Sequence, residues 1–165
     1  MPNHCHNRVT FYPSGNNVAS TLDQIETIKD IFTGESVFSQ IIPEPDWPNT
    51  PLTKATAQGV LNIKRGEVGE LPVPDDQNFG RTYTFKSTNK GDDRWYDWRI
   101  QNWDTKWDAY DVVVTDDSME DYLEVEFNTA WAPPEAICHK IREDFPDIAI
   151  SWFYDEPGCE LAGYL

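Results

Sequence analysis

Three groups of residues in this chain are of types that could do chemistry. The densest is the run from Arg94 to Asp111, which holds Trp95, Trp98, Trp103 and Trp107, four of the seven tryptophans, with Tyr96 and Tyr110. Indole rings interleaved with Arg94, Arg99 and Lys106 are a pattern that stacks bases and meets phosphates. Here Asp97, Asp104, Asp108 and Asp111 sit among those cations, and they offset the attraction on which phosphate binding depends. The same rings would serve as core, because aromatic side chains dominate burial energetics. That is the favoured meaning, with Arg99 paired to an acid such as Asp97 or Asp108. A ligand-binding use of the run would draw on Trp95, Tyr96, Trp98, Arg99, Trp103, Lys106 and Trp107.

The second group is His4-Cys5-His6. On a strand the two imidazoles share one side and the thiol points to the other. A third ligand would have to come from His139, Cys138, Cys159 or a carboxylate. Two polar residues near a terminus are the commoner meaning of such a pair, so no metal is expected, His4 and His6 being the residues that would carry one. The third group is the acidic runs Asp116-Asp117-Ser118-Met119-Glu120-Asp121 and Asp155-Glu156-Pro157-Gly158-Cys159-Glu160. Neither has the glycine and twelfth-position glutamate of a calcium loop, and both read as solvated turns. No Gly-x-Ser-x-Gly, Cys-His signature or phosphate-cradling glycine loop is present. In so acidic a chain, neighbouring carboxylates do not single out a general acid and base. No catalytic residue and no cofactor follow.

The elements that must position these groups can be traced along the chain. Residues 4–12 read as a strand ending at Pro13-Ser14-Gly15. Leu22, Ile25, Ile28, Ile31 and Phe32 predict a helix over 18–33, closed by Gly34. Residues 37–42 read as a short extended run. Prolines and glycines are then spread through 43–74 without a sustained period. Residues 46–93 are therefore expected to form a loop-rich insertion, with strand-like pieces at 60–63 and 81–86. Trp95, Trp98, Trp103 and Trp107 stand three, five and four apart, and the intervals of three and four point to one helical face, with a helix expected at about 94–103. Strands at 107–114 and 121–131 form a hairpin around Asp116-Asp117-Ser118. Pro133 and Pro134 start a helix with Ile137, Ile141 and Phe145 on one face, 148–154 is the last long strand, and Cys159 to Leu165 is a short tail. Strand, helix, insertion, hairpin, helix, strand makes two halves of a split β-α-β unit. The expected fold is an α+β, ferredoxin-like sandwich, an antiparallel sheet with two helices on one face, in a single domain over 1–165.

Composition narrows the function classes. With 165 residues, 39% of them hydrophobic, the chain can bury a core without staples. Three widely spaced cysteines fit free thiols better than a disulfide scaffold. No apolar run of 18 residues spans a membrane, no basic-then-apolar leader opens the chain, and a cytoplasmic location is expected. Net charge is −16. Residues 91–165 hold 5 Lys/Arg against 19 Asp/Glu, a net of −14. Such a surface repels nucleic acid and anionic membrane, so neither is an expected partner.

Several strings together resemble a known family. They are Met1-Pro2-Asn3 with Asn7-Arg8-Val9-Thr10, Ile42-Pro43-Glu44-Pro45, and Trp95-Tyr96-Asp97-Trp98-Arg99-Ile100-Gln101-Asn102-Trp103 with Thr105-Lys106-Trp107-Asp108-Ala109. Phe127-Asn128-Thr129-Ala130-Trp131-Ala132-Pro133-Pro134 and Tyr154-Asp155-Glu156-Pro157-Gly158-Cys159 complete the set. The chain is similar to the YubB-type ferredoxin-like domains, also called phage Api-type, of phages, plasmids and related mobile elements. The resemblance covers both ends and the middle and leaves out residues 46–90. It implies a topology and a genomic setting and no reaction; the family name refers to fold, and the spaced cysteines of an iron–sulfur cluster are absent. In the family pattern Trp stands where this chain has His4 and Ser where it has His6.

The leading expectation is a non-catalytic acidic binding protein of phage or mobile-element type. Its partner would be a host protein with a basic surface, met by Asp116, Asp117, Glu120, Asp121, Glu124 and Glu126. Its sharpest form is a DNA-mimic inhibitor of a nucleic-acid enzyme. The alternative is a small-molecule or nucleotide-binding module built from the tryptophan segment and the insertion. A metal-dependent hydrolase using His4 and His6 is the third.

Overall fold

A computed structural model describes residues 3–14, 18–47, 52–56, 59–63, 68–72, 82–86, 94–116 and 122–165. In chain order the elements are β1 (His4–Pro13), α1 (Val18–Thr33), α2 (Val37–Ile41), β2 (Leu52–Thr56), β3 (Gly59–Ile63), β4 (Val68–Pro72), β5 (Thr82–Lys86), α3 (Arg94–Trp103), β6 (Tyr110–Asp116), β7 (Leu123–Ala130), α4 (Glu135–Asp144), β8 (Ile148–Glu156) and β9 (Leu161–Tyr164). Their contacts divide into two units, Met1–Pro43 with Trp98–Leu165, and Glu44–Asp97.

The first unit is built on a five-stranded antiparallel sheet in the order β6-β7-β1-β8-β9. Taken as β1, β6, β7 and β8 with α1 and α4 as crossovers, this is the ferredoxin-like arrangement, an α+β fold. Alternation along β1 decides the layering: Cys5, Asn7, Val9 and Phe11 are buried, while His4, His6 and Arg8 are exposed. The buried side chains of the sheet form one core with Ile25, Ile28 and Phe32 of α1 and Ile137 and Ile141 of α4. Both helices therefore cover the same face. On α1 the buried row is Thr21, Ile25, Ile28 and Phe32, and Leu22 is 40% exposed. The fourfold spacing thus starts from a threonine.

Three departures from expectation stand out. Residues 37–41 form a helix where an extended run was expected. One turn of helix buries Val37, Phe38 and Ile41 together, and the Phe38 N–H finds the Asp108 carboxylate at 2.8 Å. The Gln40 side chain then donates to the carbonyls of Ile31 and Glu35, closing the end of α1. The expected tail carries a fifth strand, β9, turned back on β8 at Pro157-Gly158. A Cβ at Gly158 would lie 2.3 Å from the side-chain amide nitrogen of Asn3, so a larger residue in that turn would have to displace the Asn3 side chain. The strand expected at 107–114 runs from Tyr110 to Asp116, because residues 104–107 bend first.

The second unit, Glu44–Asp97, holds two hairpins, β2 with β3 and β4 with β5. Strand pieces at 60–63 and 81–86 were expected there; β2 and β4 are their partners.

Candidate functional site

The sheet's other face has no helix over it among the described residues. Its strands present His4, His6, Arg8 and Thr10 from β1, Glu124, Glu126 and Asn128 from β7, and Phe153 and Asp155 from β8. On β6 the register against β7 slips between Tyr110 and Val113, and Asp111 takes a positive φ of 53°. This bulge turns Tyr110, Asp111 and Val113 outward together while Val112 packs on the core. Asn128 donates to the Asp111 carboxylate at 3.2 Å. A cleft of about 310 Å³ opens here. His6, Arg8, Asp111, Glu126 and Asp155 are its polar wall, with Val113 and Phe153 as its apolar part.

The electrostatics of this face are lopsided. Four carboxylates, Asp111, Glu124, Glu126 and Asp155, face one guanidinium, Arg8, among the described residues of the strands. Arg8 Nε donates to Glu126 Oε1 at 2.7 Å, and that hydrogen bond raises the Arg8 pKa further. Both partners stay substantially exposed. The pair is an orienting contact more than a source of stability.

At one end of the face the polar surface gives way to rings. His4 Nδ1 and the Tyr110 hydroxyl share a hydrogen bond, and their rings meet edge to face at 5.7 Å. Tyr110 in turn meets Trp107 edge to face at 6.0 Å. Burial, and then the charge of Asp111, raise the Tyr110 pKa. The Lys106 ammonium lies over the Trp107 ring at 4.6 Å and over the Trp131 ring at 5.6 Å. Buried Thr105 brings these residues together. Its hydroxyl donates to the Ala130 carbonyl and accepts the Ala130 N–H, at 2.9 and 3.2 Å, as a further strand would. Trp131 follows with φ 74°, its N–H donated to the Asn3 carbonyl. Thr129, holding the Ala132 carbonyl at 2.8 Å, fixes the same bend.

The residues singled out by sequence fall into several environments. Glu124 and Glu126 project from β7 on the helix-free face. Asp116 ends β6; Asp117, Glu120 and Asp121 lie outside the described residues. The tryptophan run divides by role. Trp103 is fully buried, bonds the Ile42 carbonyl through Nε1, and meets Trp98 and Phe38 edge on. The Arg99 guanidinium lies 4.9 Å above the Trp103 ring. Trp95 and exposed Tyr96 meet edge to face at the start of α3. Lys106 and Trp107 belong to the ring cluster beside the sheet.

His4 and His6 do share a face, with Cys5 on the other. Cys138 is buried on α4 and His139 is exposed. Among the described residues no three His, Cys, Asp or Glu come close enough to hold a metal ion. All three cysteines are free. Sequence reasoning gave no site role to Thr105 or Trp131, and it read Asp155 and Glu156 as a solvated turn, whereas both lie in β8 and Glu156 is fully buried. Two buried polar groups stand out. One is Asn7, which donates to the Cys5 carbonyl and Thr129 and accepts the Trp152 indole N–H. The other is Glu156, whose carboxylate accepts the Cys159 N–H at the β8–β9 turn. The alternation of β7 and β8 was the signal that could have placed Asp155; nothing local marks the others.

Residues 102–165 match the family model of the ferredoxin-like domain in Api92-like protein. That stretch takes in β6, β7, α4, β8 and β9. Among solved structures, the protein Api92 from Yersinia pseudotuberculosis is similar at 12% identity and a TM-score of 0.46, over 99% of this chain and 93% of that one. No curated protein matches the chain.

Proposed function

We propose that this chain is a non-catalytic, acidic binding protein of phage or mobile-element type that engages a basic surface on a host protein through the helix-free face of its sheet. The observation that carries this reading is the charge of that face, four carboxylates against Arg8, in the half of the chain whose net charge is −14. Charge of one sign on an exposed surface steers a partner of the other sign and excludes like-charged ones. Glu124 and Glu126 stand two residues apart on one strand, with Asp155 two strands away. In its sharpest form the protein imitates a phosphate backbone and inhibits a nucleic-acid enzyme in the host cytoplasm. No helix of the described residues is long and apolar enough to cross a membrane.

Neutralising the face tests this. Wild-type protein and E124Q/E126Q/D155N serve as baits in bacterial lysate at about 0.1 and about 0.5 M salt, bracketing strong and weak screening. The expected result is a host protein retained by wild type at low salt, and lost both at high salt and with the triple variant. Capture indifferent to both changes would remove the face from any account of binding. A second reading, a small polar ligand in the cleft, is favoured by its volume, at the lower end of ligand sites.

A further inference from the structure

Trp131 has costs that a core residue would not carry. A bulky aromatic at φ 74° is a backbone outlier. The residue is nevertheless 49% exposed, so the core does not use it in full. Thr105, Thr129 and Asn3 all hold the bend that presents it. Such over-determined strain is characteristic of recognition sites. One cation reaches both this ring and that of Trp107: the Lys106 ammonium is within about 6 Å of both centroids, the range of cation–π attraction. Among the described residues Lys106 has no ion-pair partner. The two rings also adjoin the acidic cleft, because Asn128 pairs with His6 on one side and with Tyr110 on the other.

We infer that Trp107 and Trp131 form a cage for an arginine or lysine side chain of a basic partner protein, filled in the free protein by the chain's own Lys106. The inference rests on the proposed function and adds an anchor point to it. Lys106 shows which chemistry the rings accept, and its flexible stem lets it swing aside. A guanidinium, planar and weakly hydrated, stacks on indole better than an ammonium does. The carboxylates of the helix-free face would then receive the partner's remaining cations.

The full chain, titrated with a hexa-arginine peptide and with its uncharged hexa-citrulline counterpart, tests the cage by calorimetry and tryptophan fluorescence. Three variants accompany wild type. W131G removes the ring and leaves a residue at ease at positive φ. K106M removes the competing ammonium from the rings while keeping both of them, and K140M removes the same charge from α4. Hexa-arginine should bind about 2- to 30-fold more weakly to W131G, the range from an exposed cation–π contact to an aromatic anchor. It should bind more tightly to K106M than to K140M, and hexa-citrulline should not bind. Wild-type affinity in W131G overturns the inference. If W131G does not fold, K106M decides: affinity no higher than that of K140M overturns it. Weakening by E124Q/E126Q but not by W131G would sink the cage and leave the acidic-face reading standing; the reverse would do the opposite. If oligothymidylate quenches the tryptophans and K106M abolishes the effect, the cage is overturned and Lys106 is a phosphate contact.

Discussion

The two faces of one sheet show how the same strands can carry two unrelated tasks. Along β1, the odd positions Cys5, Asn7, Val9 and Phe11 are closed under helices, and the even positions His4, His6 and Arg8 face outward. On the covered face the buried amide of Asn7 is satisfied internally, in the Trp152–Asn7–Thr129 chain of hydrogen bonds. On the outer face the carboxylates are mostly presented to solvent. A one-residue slip in register would exchange the two sets, so the hydrophobic pattern that specifies the fold also specifies the charge of the outer surface. The lesson is that binding character and folding can be separated by alternation alone.

Removing a core ring should show that separation at its largest. Trp152 is fully buried, meets Phe127 edge on at 5.6 Å and donates its indole N–H to Asn7. Trp152→Ala should cost about 3–5 kcal/mol of unfolding free energy. It also strands the Asn7 carbonyl oxygen. Urea denaturation measures it. A loss below about 1 kcal/mol would mean the covered face is not what holds the sheet, and the contrast between the faces would fail.

A smaller effect, visible only in alkali, comes from the thiol of β1. Burial pushes the Cys5 pKa up to about 11. The folded chain therefore keeps this proton at pH values where the unfolded chain has lost it. The contribution is full below the ordinary thiol range and is lost as pH rises from there through about 11, with a slope of about 1.4 kcal/mol per pH unit for one proton. Denaturation at pH 8 to 10.5 should show stability falling more steeply in wild type than in Cys5→Ala. Equal slopes would place Cys5 in contact with water and blur the boundary between the faces.

Much of this division was legible in the sequence because it follows period. The alternation of 4–12 put His4 and His6 on one side and Cys5 on the other, and the helix expected at about 94–103 is α3. What escaped depends on distant partners. Residues 37–41 are too few for a helical period to register, and their capping carboxylate, Asp108, lies 70 residues away. The strand β9 is short and largely exposed, so it shows little burial pattern; pairing with β8 makes it a strand. Asn7, Thr105 and Glu156 look like surface residues by type; distant hydrogen bonds hold Asn7 and Thr105 inside, whereas Glu156 is held by the local turn to Cys159 and keeps one carboxylate oxygen buried without a partner. Trp131 was readable as an aromatic, but its left-handed backbone and its place beside Lys106 are products of the bend. The acidity of the outer face was half visible: Glu124 and Glu126 were named among the acidic residues that would meet a partner, with no sheet face assigned, whereas Asp111 arrives through a bulge and Asp155 through a strand pairing.

The smallest shift in stability should come from the outer face itself. Glu126→Gln removes the ion pair with Arg8, whose partners are both well exposed and therefore screened by water and salt. Side-chain entropy spent on holding the pair further reduces what it contributes. The unfolding midpoint should stay where wild type has it at low and at high salt. A large drop would show that the outer face also holds the sheet together. Its carboxylates would then be explained by folding, and the case for a binding surface would lose its main support. An unmoved midpoint sharpens the comparison: charges that the fold does not need, clustered where no helix covers them, are left for a partner to use.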